Sequence, residues 1–158
     1  MNANEQLIHT FYKAFEKADY KGMQACYADN LVFNDEVFIN LSAKETKAMW
    51  HMLSETGLSK LSFSKIKADD RQGSAHWVAE YTFSLTKRFV INRIDASFKF
   101  KNGKIVRHTD RFNFINWSRQ AFGLTGIFIG WTPFFKNKVR KTAQARLTAF
   151  ISKHAEYQ

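Results

Sequence analysis

Asn102-Gly103 separates two stretches that alternate residue by residue, and nothing else in the chain restricts the fold as tightly. An Asn-Gly pair tolerates the positive φ that both central residues of a tight hairpin turn require. Val90–Phe100 alternates ahead of it and Ile105–Phe114 behind it, which predicts two antiparallel strands. Alternate side chains of a strand share a face. His108, Asp110, Phe112 and Phe114 therefore point one way, and Arg107, Thr109, Arg111 and Asn113 the other. A histidine and a carboxylate about 7 Å apart along the strand, on a face shared with aromatics, mark a polar spot in an apolar surface.

Upstream of residue 58 the hydrophobic period is helical. Leu7, Ile8, Phe11, Ala14, Phe15 and Ala18 predict an amphipathic helix over Asn4–Ala18. A short helix is expected at Met23–Tyr27 and a brief strand at Leu31–Asp35. Ser42 and Glu45 form a capping box that opens a third helix, and Thr56-Gly57 closes it. From Leu61 the period falls to 2: one strand at Leu61–Ile66, a turn at Asp69–Gly73, and a long strand at Ala75–Thr86. That strand puts Trp77, Ala79, Tyr81, Phe83 and Leu85 on one face. Past Trp117 the pattern is helical again, with an apolar, turn-rich Leu124–Phe135 and a final helix over Lys136–His154. Helices followed by a meandering antiparallel sheet give an α+β class. Residues 1–117 are expected to form the α+β unit, and 118–158 a helical extension packed on it.

Composition narrows the function classes. Sixteen Phe, five Tyr and four Trp in 158 residues supply enough aromatic area for a dense core or an apolar ligand pocket. The net charge of +10 is unevenly spread: from Trp117 onward seven Lys/Arg face a single acid. The body of the chain therefore has no nucleic-acid footprint, and the tail's basic residues do not alternate with aromatics as single-strand binding platforms do. The basic final helix leaves contact with an anionic membrane open as a minor alternative. One cysteine, Cys26, and an N-terminus without a basic-then-apolar leader point to a reducing, cytoplasmic setting. No apolar run approaches the roughly 20 residues of a spanning helix. There is no HExxH, no paired-cysteine motif and no Gly-rich phosphate loop, so neither a metal nor an organic cofactor is expected.

The order of these elements resembles the nuclear transport factor 2-like superfamily, which includes ketosteroid isomerases and SnoaL-like polyketide cyclases. The resemblance rests on FYKAFEKADYKG at Phe11–Gly22, CYADNLVFND at Cys26–Asp35, KAMWHML in the third helix, and FKFKNGKIVRHTD. It covers about residues 4–117 and implies a cystatin-like α+β barrel: a cone-shaped, curved antiparallel sheet wrapped around the N-terminal helices, with a pocket at one end and the C-terminal helix outside the resemblance. Asp35 falls where the isomerases place their base, with Glu36 in place of the usual proline. The isomerase oxyanion donors align with Phe11 and Ala96, and Tyr12 lies about 100° around the helix from Phe11. With both donors missing, classical ketosteroid isomerisation is not expected.

SnoaL-like cyclases take a carboxylate from the end of this sheet as base, which favours Asp110, assisted by His108, with Asp35 as a further polar anchor. Phe11, Phe15, Tyr27, Trp50, Trp77, Tyr81 and Phe112 are the expected ligand-lining residues. The reading is a site for a small hydrophobic molecule, as a cofactor-independent isomerase, cyclase or dehydratase. The alternative is a non-catalytic ligand-binding or protein-interaction module of the same fold. Family members commonly pair through the outer sheet face, so a homodimer is expected.

Overall fold

A computed structural model describes all 158 residues. Helix α1 (Ala3–Glu16) starts with a reciprocal cap, Asn2 and Glu5 each bonding the other's backbone N–H. It is followed by α2 (Tyr20–Ala25), β1 (Tyr27–Asn34), β2 (Leu41–Ser42) and α3 (Ala43–Thr56). The capping box of α3 forms as expected, Ser42 and Glu45 exchanging bonds, and Gly57 ends the helix at φ 75°.

Four long strands follow, β3 (Lys60–Ala68), β4 (Gln72–Thr82), β5 (Phe89–Lys101) and β6 (Lys104–Phe112). The six strands make one sheet in the order β2-β1-β6-β5-β4-β3. Asn102 and Gly103 both have positive φ, 52° and 70°, and join β5 to β6 as the sequence requires. The sheet is antiparallel except where β1 runs parallel to β6, a long-range pairing that local periodicity does not encode.

The sheet curves around α1, which buries Ile8, Phe11, Tyr12, Ala14 and Phe15 against it. Tyr12 belongs to this buried face, whereas Ala18, expected on it, lies past the end of the helix and is exposed with φ 53°. On β4, Ala75, Trp77 and Ala79 are buried while His76, Val78 and Glu80 face out. The strand stops at Thr82: Phe83 to Arg88 form a turn, and Leu85, expected inside, is 69% exposed. At the other end of the sheet, Asn113 accepts from the N–H of Asn116 and caps α4 (Phe114–Phe122). Phe114 therefore begins a helix instead of continuing the strand.

The C-terminal region adds α5 (Leu124–Ile129), α6 (Pro133–Ile151) and a closing 3-10 turn at Ala155–Tyr157. The apolar tail segment is thus partly helical, and α6 starts three residues before the expected Lys136 because Thr132 caps it and Pro133 suits its first turn. Leu147 of α6 and Tyr157 join the main core, next to α3. Phe114, Trp117, Ala121 and Phe135 form a smaller cluster with Val90. Val37, Tyr81 and Phe112 pack against both clusters, so α4 and α6 cover the end of the sheet where those residues lie.

Candidate functional site

The interior of the curved sheet holds one chain of polar contacts. It starts on α3, where the Trp50 indole N–H donates to the Tyr27 hydroxyl at 2.8 Å. That hydroxyl lies 2.8 Å from Nδ1 of His108. Having accepted from Trp50, it donates its own proton to Nδ1, which places the imidazole proton on Nε2. Nε2 lies 3.0 Å from Oδ1 of Asp110 and donates to it. The Trp77 indole N–H donates to the same oxygen at 3.3 Å. Tyr27, Trp50, Trp77, His108 and Asp110 are all buried, His108 completely.

Each member is placed by its element. His108 and Asp110 are inward because β6 alternates, and their register against Phe98 and Ala96 of β5 sets their depth. Ala96, the smallest side chain beside the pair, stands opposite Asp110. Trp50 comes from the buried face of α3, and Tyr27 from the first residue of β1. The His108 ring is enclosed by aromatics: Phe98 at 4.4 Å between centroids, Phe33 at 5.1 Å, Phe11 at 5.5 Å and Trp50 stacked at 6.1 Å. Phe15 packs edge-on to both Trp50 and Trp77. Both ring nitrogens are hydrogen-bonded inside this apolar shell.

Tyr12 is the residue that sequence reasoning left out of the site. It is fully buried, stacked on Phe63 at 5.3 Å, and its hydroxyl has no hydrogen-bond partner. Burial and the nearby Asp110 charge push its pKa well above the ordinary tyrosine value. The spacing Ile8–Tyr12 is a helical i, i+4 step, and that signal places Tyr12 on the inner face. The Tyr27 pKa is also raised, by burial first and then by Asp110.

Asp35, Tyr81 and Phe112 lie apart from this centre, half-buried toward the end covered by α4 and α6. Asp35 follows β1 and accepts the backbone N–H groups of Val37 at 2.6 Å and Phe38 at 2.5 Å, all through Oδ1. Its pKa is pushed up to about 7, by loss of solvent first, opposed by those two bonds and reinforced by Asp110. The two carboxylates therefore sense each other. The loop carrying Asp35 is tied to α6, because Glu36 pairs with Lys136 and its carbonyl accepts from Nε of Arg140 at 3.1 Å. Tyr81 accepts from the Trp117 indole of α4 at 2.8 Å.

Two surface hollows, about 680 and 610 Å³, lie elsewhere: one between Tyr20, Gln24, Lys47 and Tyr157, the other between Lys67, Gln72, Ser97 and Arg107. Away from the cone, a ring nitrogen each from His51 and His154 and a Glu55 carboxylate oxygen lie within 4.8 Å of one another. Each histidine has a structural partner: His51 contacts the Tyr157 hydroxyl at 3.1 Å, and Nδ1 of His154 donates to the carbonyl of Phe150 at 2.8 Å. This group joins α3 to the C-terminal turn. Cys26 is buried, and loss of solvent pushes its pKa up to about 11, which disfavours the thiolate.

The model of the SnoaL-like domain family matches residues 8–108, from within α1 to His108 midway along β6, and Asp110 lies two residues beyond the match. The structure is similar to a candidate polyketide cyclase from Pseudomonas putida, 17% identical with a TM-score of 0.62 over 76% of this chain and 98% of that one. It is also similar to an NTF2-like protein of unknown function from Burkholderia pseudomallei, 15% identical with a TM-score of 0.63 over 78% of this chain and all of that one. An LEH-like epoxide hydrolase from M. tuberculosis is 15% identical with a TM-score of 0.60 over 75% and 89% of the respective chains. At these identities the likeness is one of fold. No curated protein sequence matches the chain.

Proposed function

The chain belongs to the SnoaL-like domain family and has its α+β cone, and from that premise we propose that it acts on a small hydrophobic molecule, with Asp110 as the acid/base. The observation that carries the proposal is an ionisable pair in an otherwise apolar interior, beside a buried hydroxyl with nothing to bond. Burying a carboxylate costs several kcal/mol, about as much as its pairing returns, and apolar replacements are often no less stable. A core serving stability alone gains nothing from His108, Asp110 and an unpartnered Tyr12. A proton-transfer site can use all three: a base, a group that positions it and a hydroxyl donor.

In this reading Oδ1 of Asp110 is held by His108 and Trp77, leaving Oδ2 for the substrate proton. The Tyr12 hydroxyl donates to the oxygen on which negative charge develops. His108 positions Asp110 and is itself held by Tyr27. Phe11, Phe15, Trp50 and Trp77 supply apolar walls. The candidate cyclase and the epoxide hydrolase among its structural relatives support two substrate classes for the first test, β-polyketides and lipophilic epoxides.

The test is turnover of such a panel followed by mass spectrometry. Asp110→Asn is expected to lower the rate on any accepted substrate by at least about 100-fold, the scale of a lost general base, with affinity kept. Undiminished turnover would remove Asp110 from the role. The second reading, a non-catalytic module of the same fold, is supported by how completely Phe11, Tyr12, Phe33 and Trp50 fill the interior. It predicts a bound ligand or partner with no product. Pairing of two copies through the outer sheet face, around Val78 and Arg93, belongs to either reading. Sedimentation velocity is expected to show a dimer that Val78→Arg dissociates.

A further inference from the structure

The largest exposed apolar surface of the molecule lies on α5 and the turn into α6. Leu124, Phe128, Trp131 and Phe134 are each about two-thirds exposed or more, at 72%, 70%, 66% and 76%, with Ile127 and Ile129 beside them. Soluble surfaces seldom gather six large apolar side chains in eleven residues. The backbone leaves them no inward alternative. Gly126 and Gly130 sit directly on Ser118 of α4: a Cβ on Gly126 would fall 1.9 Å from the Ser118 carbonyl oxygen, and one on Gly130 2.1 Å from its Oγ. This glycine face is the only inward face of α5, and every large side chain projects away from it.

Several polar groups at the tip bond to one another. The Trp131 indole N–H donates to the carbonyl of Phe128 at 2.9 Å. The Thr132 hydroxyl and N–H both donate to the carbonyl of Ile129, at 2.7 and 2.9 Å. Gly130 N–H donates to Gly126. Water is not needed to complete these bonds, which is the condition for entering a hydrocarbon boundary.

The unpaired charge beside the tip is basic, because the acid at the start of α6, Glu36, is already paired with Lys136. Phe134, Lys138 and Lys141 follow each other at helical spacing on α6, and Arg119 lies on α4; all three basic residues are exposed and none is in an ion pair. The only acid after Trp117 is Glu156, at the far end beside His51. An isologous contact with a second copy would press two such basic margins together. An anionic surface complements them.

We propose that the α5 tip seats the protein on anionic bilayers, with Leu124, Phe128, Trp131 and Phe134 in the interface and Arg119, Lys138 and Lys141 against the headgroups. No helix is long and apolar enough to cross a membrane, so the contact is peripheral. It stands independently of the role of Asp110.

Co-sedimentation of the full chain with vesicles tests this. Binding is expected to phosphatidylcholine vesicles containing a quarter phosphatidylglycerol, at least tenfold weaker to phosphatidylcholine alone and in 0.5 M NaCl. The double variants Phe128→Ser/Trp131→Ser and Lys138→Glu/Lys141→Glu, each altering exposed side chains only, should each lose at least tenfold while keeping the wild-type melting temperature. No binding to the anionic vesicles overturns the proposal, as does binding that either double variant leaves intact. A self-association without lipid that Phe128→Ser/Trp131→Ser abolishes, with no vesicle binding, assigns the patch to a second copy instead.

Discussion

At Asp35 the carboxylate has traded water for two backbone N–H groups and a neighbouring acid, and its pKa rises from 3.8 to about 7. Between those values the unfolded chain has given up the proton and the folded chain keeps it. Stability therefore falls as pH rises from about 4 to about 7 and is level above that. Asp35→Asn is expected to match the wild type near pH 4 and to exceed it by about 1–2 kcal/mol at pH 8. Denaturant unfolding at the two pH values checks the sign, and a variant less stable at pH 8 would show that the bonds to Val37 and Phe38 prevail. Tyr12 and Tyr27 make a second contrast. Tyr27→Phe breaks two buried bonds and should cost about 2–3 kcal/mol, whereas Tyr12→Phe removes an unpartnered hydroxyl and should cost less than about 1 kcal/mol. If Tyr12 serves chemistry, turnover falls in Tyr12→Phe even though stability does not.

The turn between α4 and α5 rests on close backbone approach. A methyl at Gly126 meets the Ser118 carbonyl, which is backbone and cannot swing aside. Gly126→Ala is expected to lower stability by about 1–3 kcal/mol in thermal or denaturant unfolding. An unchanged midpoint would mean that α5 is not seated on α4 as described. Elements differ in how plainly the sequence announces them. The β5–β6 hairpin and the cap of α3 are local devices, each decided by residues within a few positions, and both form where Asn102-Gly103 and Ser42/Glu45 place them. His108 and Asp110 follow from alternation alone. The parallel partner of β1 is invisible locally, since strands far apart in sequence meet only after the fold closes. Tyr12 escaped because it lies about 100° around the helix from Phe11, although its four-residue step from Ile8 points inward. The end of β4 escaped because Phe83 and Leu85 continue the alternation past Thr82, into the turn where Lys87 has positive φ.

Across the whole molecule the C-terminal helices are part of the fold. Leu147 is completely buried in the main core, and Trp117, Lys136 and Arg140 fasten α4 and α6 to Tyr81 and to the loop of Asp35. Leu147→Ala is expected to cost about 2–5 kcal/mol and to shift a single unfolding transition. A separate, earlier transition for the helices would contradict that integration.

On the proposed function, the His108–Asp110 centre opens to small molecules and is more than a packed core. The indole N–H of Trp77, bonded to Asp110, reports on this directly through its hydrogen exchange followed by NMR. Exchange well ahead of the backbone amides of Ile94 and Ala96 in β5, through a local opening, is the predicted result. Exchange of the Trp77 proton only as slowly as those amides, by global unfolding alone, would contradict it.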